Sequence, residues 1–287
     1  MLVGICTGAP STAMGAEPVE ESLPAAYIRL GPELRSNPFG RPVVMRSEEG
    51  PNSIQGDAYA IVNFPLEQLR AAVATPEHWC DVMILHLNTK FCSVSESVHG
   101  PTLTVNIGKN IPQDLAQTAR MDFGFNTQSP DATTFKVVLT ALQGPIGTAN
   151  YRIVLQAASL GGDTSFLHLT YSYDFNAVSR LALSVYLSTI GRNKVGFTQT
   201  KTTATATPVY IRGLRGVVER NTMRYFLAIT AYLESAHGAE ESRLDARLQN
   251  WFAATEAYPL QLREVAWKDY LAMKHAEVLR QQRLPPQ

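Results

Sequence analysis

The chain has 287 residues, enough for one large domain or for a domain with an appendage. Its 25 Lys and Arg balance 25 Asp and Glu, so no net charge draws it to nucleic acid or to an anionic membrane. Hydrophobic residues make up 45%, yet no apolar run approaches the roughly 18 residues that a membrane-spanning helix needs.

Residues 1–16, MLVGICTGAPSTAMGA, are small, apolar and uncharged, and give way to EPVEES. They read as the latter part of a secretory signal lacking its basic start, with cleavage near Ala13 to Ala16. The expected location is periplasmic or secreted, or cytoplasmic if this segment is not a signal. Cys6 falls in the leader, which leaves Cys80 and Cys92 in the mature chain. An exported chain with an even number of cysteines is expected to pair them, and so short a loop is worth about 3 kcal/mol in the chain-entropy model. Two free buried thiols are the alternative. No Cys/His pattern has metal-ligand spacing, and no metal or other cofactor is expected.

Residues 17–55 are rich in Pro, Gly, Ser and charge and read as an extended arm with room for one short helix. A strand is predicted over Asp57 to Pro65, stopped by its proline. Helical spacing follows from Leu66, with Leu69 and Val73 on the same face. Thr75 is placed to cap a second short helix that begins at Pro76. From Lys90 to Phe175 the apolar period is two. Leu103, Val105 and Ile107 share one strand face, as do Phe135, Val137 and Leu139, then Tyr151, Ile153 and Leu155, then Leu167, Leu169, Tyr171 and Tyr173. Turn residues punctuate these runs at His99, Ser129, Gln143 and Gly161, which predicts an antiparallel meander. Helical spacing resumes over Ser179 to Gly196. The longest helix is expected over Tyr210 to Ala236, with Leu214, Val218, Asn221, Tyr225, Ala228 and Tyr232 on one stripe and Gly238 at its end. Residues 237–287 form a further helical extension broken at Tyr258-Pro259. Its Leu248, Trp251, Phe252, Trp267 and Tyr270 must pack on the domain or on a partner chain.

Strand, two short helices, a meander and a long C-terminal helix make an α+β order that resembles the START-like (helix-grip, SRPBCC-type) superfamily. The resemblance covers residues 56–236 and rests on that order and on AYAIVNFPLEQLRAAVATPEHW and YRIVLQAASLGGDTSFLHLTYSYDF. It implies a curved sheet of about six to seven strands gripping the long helix, with a mostly apolar cavity between them for lipids, sterols, polyketides or similar molecules. Residues 179–196 sit where relatives have a loop or short helix, and read either as a lid over the cavity mouth or as another core helix.

No GxSxG, P-loop, GxGxxG or supported pair of carboxylates occurs, so no catalytic residue is assigned. The expected ligand-binding residues are Tyr151, His168, Tyr171, Tyr173, Tyr186, Arg224 and Tyr225. Tyrosines suit a pocket that is apolar but must orient a polar head, His168 points into the cavity on one of its two strand parities, and Arg224 could meet a carboxylate or phosphate. For each, core packing or solvation is the competing explanation. His78 and His86 flank the second short helix, and Arg192, Lys194 and Lys201 bracket the possible lid. The leading expectation is a soluble carrier or receptor for a hydrophobic small molecule, lipid or sterol-like, with no nucleic-acid partner and at most transient membrane contact. The alternatives are a cyclase- or hydrolase-type enzyme using His168, Asp122, Arg152 and tyrosines, or an interaction protein that binds a partner or a second copy through its helical tail.

Overall fold

Eight strands pair in one antiparallel sheet, β1 (Val43–Glu49), β2 (Ser53–Val62), β3 (Thr89–Ser97), β4 (Gly100–Ile107), β5 (Ala119–Gln128), β6 (Thr134–Gln143), β7 (Ala149–Gly161) and β8 (Thr164–Asp174), in the order β1-β2-β8-β7-β6-β5-β4-β3. The computed structural model describes residues 21–188, 191–201, 208–236 and 239–284; the predicted leader with Cys6, and Gly238, lie outside them. The meander from β3 to β8 follows the period-two stretch. After an N-terminal α1 (Leu23–Arg35), two short helices, α2 (Leu66–Val73) and α3 (Pro76–Met83), carry the chain from β2 at one side of the sheet to β3 at the far edge. Thr75 caps α3, its side chain accepting from the His78 N–H at 3.4 Å.

The arm is a correction. Residues 23–35 form a full helix and residues 43–49 an edge strand, so this segment belongs to the domain. Gly31 and Pro32 disguise α1 as a broken segment, but Ala26, Leu30 and Leu34, spaced by four, bury one stripe against Val44 and Phe166 on the outer face of the sheet.

The other face of the sheet holds α5 (Gly213–Glu234), preceded by α4 (Ala177–Ser188) and a two-stranded ribbon of β9 (Gln199–Lys201) and β10 (Val209–Tyr210). Gly56, Ala58 and Ala60 of β2 present a small-residue stripe, paired with Tyr171, Leu169 and Leu167 of β8. A Cβ at Gly56 would lie 2.5 Å from Thr222 Oγ1 and 3.3 Å from Val218, so glycine lets α5 seat on the sheet. The helix is buried on nearly every side because α6 (Glu240–Glu256) and α7 (Pro259–Leu262), with α2, α3 and α4, cover what the sheet does not, while α8 (Trp267–Arg283) packs on β3 and α6.

The tail thus packs on its own domain, with Leu248, Trp251, Tyr270 and Met273 in the main core. Helix α8 also closes the β3 edge: Gln281 Oε1 accepts the Cys92 N–H at 3.0 Å, capping an otherwise open strand. Cys80 of α3 and Cys92 of β3 form a disulfide, with Cα atoms 5.3 Å apart. No helix among the described residues is long and apolar enough to cross a membrane.

Candidate functional site

Parity along β7 and β8 sends every second side chain toward α5. Ile153, Leu155, Leu167 and Leu169 fill that space completely, each 0% exposed. Further along the same faces stand Tyr151, Tyr171 and Tyr173, met by Tyr225 from α5. Tyr151 stacks on Tyr173 at 5.0 Å, Tyr171 lies 5.9 Å from Tyr173 and 6.1 Å from Tyr151, and Tyr225 is 5.5 Å from Tyr171. The Tyr151 hydroxyl bonds the Thr148 hydroxyl at 2.8 Å.

Burial raises all four phenols, Tyr151 to about 12 and the other three well above their ordinary value, so the cluster is uncharged. The four keep 4–7% of their surface, unlike the leucines beside them. Asn221, one turn before Tyr225, is only partly buried. The tyrosine end of the sheet–helix interface is thus less tightly sealed than the leucine end. Four of the expected ligand residues, Tyr151, Tyr171, Tyr173 and Tyr225, are therefore brought together.

His86 joins them from the turn after α3. Its ring stacks on Tyr225 at 5.1 Å, and Asn221 makes a polar approach to both His86 and Tyr171. Burial, helped by the positive charges of Arg224 and Lys274, drives the imidazole well below its ordinary pKa, so it is neutral. Sequence reasoning placed His86 only at a helix end. The available signal was its position between Leu85 and Leu87, both buried, in an apolar run.

A cleft of about 430 Å³ opens between α4, the loop at residues 191–194 and the start of α5, lined by Glu49, Arg180, Leu187, Arg192, Lys194 and Leu214 among others. Arg180 pairs with Glu49 at 3.3 Å and Lys194 with Glu264 at 3.0 Å. Glu49 also adds a little to the upward push that burial gives the Tyr173 phenol. Helix α4 is amphipathic in an unusual sense: Leu183 and Leu187 pack on the core, while Val178 and Leu181 are 77% and 67% exposed. Beside it, Leu142 and Ile146 at the β6–β7 turn are also exposed, and Ile146 has φ +60°, an outlier for a β-branched residue. Ser179 Oγ anchors α4 to this turn by donating to the Gly147 carbonyl at 3.0 Å.

Two expected ligand residues are elsewhere. His168 is on the outer face, stacked on Tyr59 at 4.1 Å and bonded to Asp57 at 2.8 Å. Its parity partners Phe166 and Thr170 go with it, since α1 covers that face and gives its apolar residues a second core. Arg224 faces the tail, pairing with Glu264 at 2.7 Å and donating to the Leu262 carbonyl at 3.4 Å. The side chain of Tyr186 lies outside the described set, as does that of Lys201. Asp122 and Arg152 are exposed, and His78 tilts against Tyr232 at 5.8 Å. Among the described residues, no group of three or more His, Cys, Asp or Glu gathers as a metal site.

No protein-family model matches this sequence, and no curated protein matches it significantly. Solved structures with a similar arrangement include the human StarD13 (DLC2) lipid transfer and protein localization domain, 11% identical over 47% of this chain and 71% of that one, with a TM-score of 0.35. Human StAR-related lipid transfer protein 5 is 12% identical over 58% of this chain and 86% of its own, at 0.34. Truncated norcoclaurine synthase from Thalictrum flavum is 12% identical over 52% and 88%, at 0.33. The architecture is a helix grip, an antiparallel sheet around the long helix α5, with eight strands where six to seven were expected because β1 joins the sheet edge.

Proposed function

We propose that the protein binds a hydrophobic small molecule, lipid or sterol-like, between α5 and the sheet, as a soluble carrier or receptor. The observation that carries this is the uncharged cluster of Tyr151, Tyr171, Tyr173 and Tyr225 around the partly buried Asn221, an apolar interior with a few convergent polar atoms. The cleft beneath α4 is the route in, and α4 is its lid. The Cys80–Cys92 disulfide supports an exported, oxidising compartment. Transient membrane contact fits the α4 end of the molecule. Residues 175–218 contain six Lys and Arg and no Asp or Glu in a chain that is neutral overall, and Val178, Leu181, Leu142 and Ile146 are exposed there.

An enzymatic reading lacks a comparable observation, because His168, Asp122 and Arg152 do not face the tyrosines. Native mass spectrometry with lipid extraction, on protein purified from its own compartment, tests the carrier reading. A co-purifying acyl or sterol species is expected. Protein that emerges empty and takes up no lipid from a mixed extract overturns it. The mass of the mature N-terminus tests export: loss of residues 1–16 is expected, and a retained Met1 in the native host overturns it.

A further inference from the structure

The turn after α3 is held rigidly by the tail. Lys274 Nζ of α8 donates to the His86 carbonyl at 2.7 Å and to the Thr89 carbonyl at 2.8 Å, and the Tyr270 hydroxyl donates to the Leu85 carbonyl at 2.8 Å. With this backbone fixed, the Asn88 N–H donates to His86 Nδ1 at 3.2 Å. A ring nitrogen that accepts a hydrogen bond carries no proton, so the neutral imidazole carries its proton on Nε2. That N–H is enclosed, and among the described residues it makes no hydrogen bond of good geometry, the Asn221 side chain being the polar group beside it. Buried donors left unmet are costly and rare, so each calls for a reason.

The surroundings define what would meet it. Tyr225 covers one face of the ring, and the Asn221 side chain lies between His86 and Tyr171 with surface still accessible. The cations nearest the ring are committed: Arg224 to Glu264 at 2.7 Å and Lys274 to Glu277 at 2.7 Å. An ionised ligand head would have to draw one of these cations from its buried partners, which is strongly unfavourable. A neutral acceptor carries no such cost.

From this we infer that His86 Nε2–H, beside the Asn221 carboxamide, is the polar anchor of the interior site, receiving one uncharged carbonyl or hydroxyl oxygen of an otherwise apolar ligand. This rests on the interior-binding reading above and adds to it the atom and the functional group it recognises. The Asn221 side chain turns aside to admit the oxygen, and the clamp from α8 makes the tail a positioning element for the anchor.

The test uses the full chain with ¹⁵N-labelled histidine and three pairs of probes that differ by a carbonyl: acetophenone and ethylbenzene, fluorenone and fluorene, 2-tridecanone and tridecane. Side-chain ¹⁵N spectra are expected to show His86 as the Nε2–H tautomer. In at least one pair the ketone should bind about tenfold tighter than the hydrocarbon and shift the His86 ring signals. H86F should lose that preference while still binding the hydrocarbon. Should H86F fail to fold, the wild-type ¹⁵N spectra decide instead: saturating ketone should move the His86 Nε2 signal, and the matching hydrocarbon should leave it in place. An Nδ1–H tautomer, equal binding of ketone and hydrocarbon, or an Nε2 signal that ketone does not move overturns the anchor and leaves interior binding standing. Failure of every probe to bind overturns both.

Discussion

Lys274 of α8 and Glu277 one turn later are both buried and lie 2.7 Å apart, and Lys90 of β3 reaches the same carboxylate at 2.9 Å. Two cations thus share one anion, and the excess positive charge is met by the carbonyls of residues 86, 87 and 89. Removing Lys274 leaves Lys90 paired with Glu277 but strips the buried His86 and Thr89 carbonyls of their donor. K274M is expected to lower stability by about 3 kcal/mol, read from the urea midpoint, and to loosen the turn that carries His86. An unchanged midpoint would mean that α8 is not clamped there.

The same residue sets an alkaline pH dependence. Burial, only partly offset by Glu277, lowers the Lys274 pKa from 10.5 to about 8. The folded chain binds this proton more weakly than the unfolded chain, so between pH 8 and 10.5 the unfolded state holds more protons and stability rises with pH. The buried phenols act in the opposite sense: held protonated when folded, they ionise near 10 on unfolding, and stability falls above that. Stability measured by urea unfolding is expected to peak between pH 9 and 10, and K274M should flatten the rising limb.

Glu264 gathers Arg220, Arg224 and Lys194 at the junction of α5 and the tail. Burial would raise its pKa, but these three cations outweigh burial and lower it to about 2. Its contribution is therefore complete above the ordinary carboxylate value of 4.5 and is lost as pH falls from there toward 2. E264Q should cost about 3 kcal/mol at neutral pH and should remove part of the acid-induced loss of stability in the wild type. Parallel acid profiles for the two proteins would contradict this.

Replacing Cys80 and Cys92 together by alanine removes a bridge between α3 and the β3 edge with a sequence separation of 12. The expected loss is about 3 kcal/mol, seen as a lower thermal midpoint that matches the reduced wild type. Coincidence of oxidised and reduced midpoints would show the bridge to be without effect.

At the α4 end, vesicles containing anionic phospholipid should retain the protein, and raising salt from 0.05 M to 0.5 M should weaken retention severalfold. L181D and I146D should abolish it without lowering the thermal midpoint, since both side chains are exposed. Equal retention on zwitterionic vesicles at high salt would argue against a cationic docking face.

Much of the sheet was legible because period two survives wherever one face is buried: Leu103 and Val105, Val137 and Leu139, Leu167 and Leu169 all point inward as the pattern requires. The Thr75 cap and the long helix were legible for equally local reasons. So was the tyrosine cluster, since Tyr171 and Tyr173 share parity with the leucines before them. Where both faces are covered, pattern fails. His168 and Leu169 look alike to a parity argument once α1 makes the outer face a second core, and nothing local says which face α5 will occupy. Residues 23–49 hid a helix and a strand because a Gly-Pro pair and dense charge masked a four-residue stripe.

Local residue spacing, then, determined the elements and their apolar faces, the cysteine pair and the tyrosines of the interior. Tertiary structure alone decided that Arg224 turns to Glu264, that the tail caps the β3 edge, and that His86 lies against Tyr225 with one N–H unmet. Those outcomes depend on contacts between residues from about 40 to 190 positions apart, where the packing of whole elements, not the chemistry of neighbours in the chain, selects each side chain's partner.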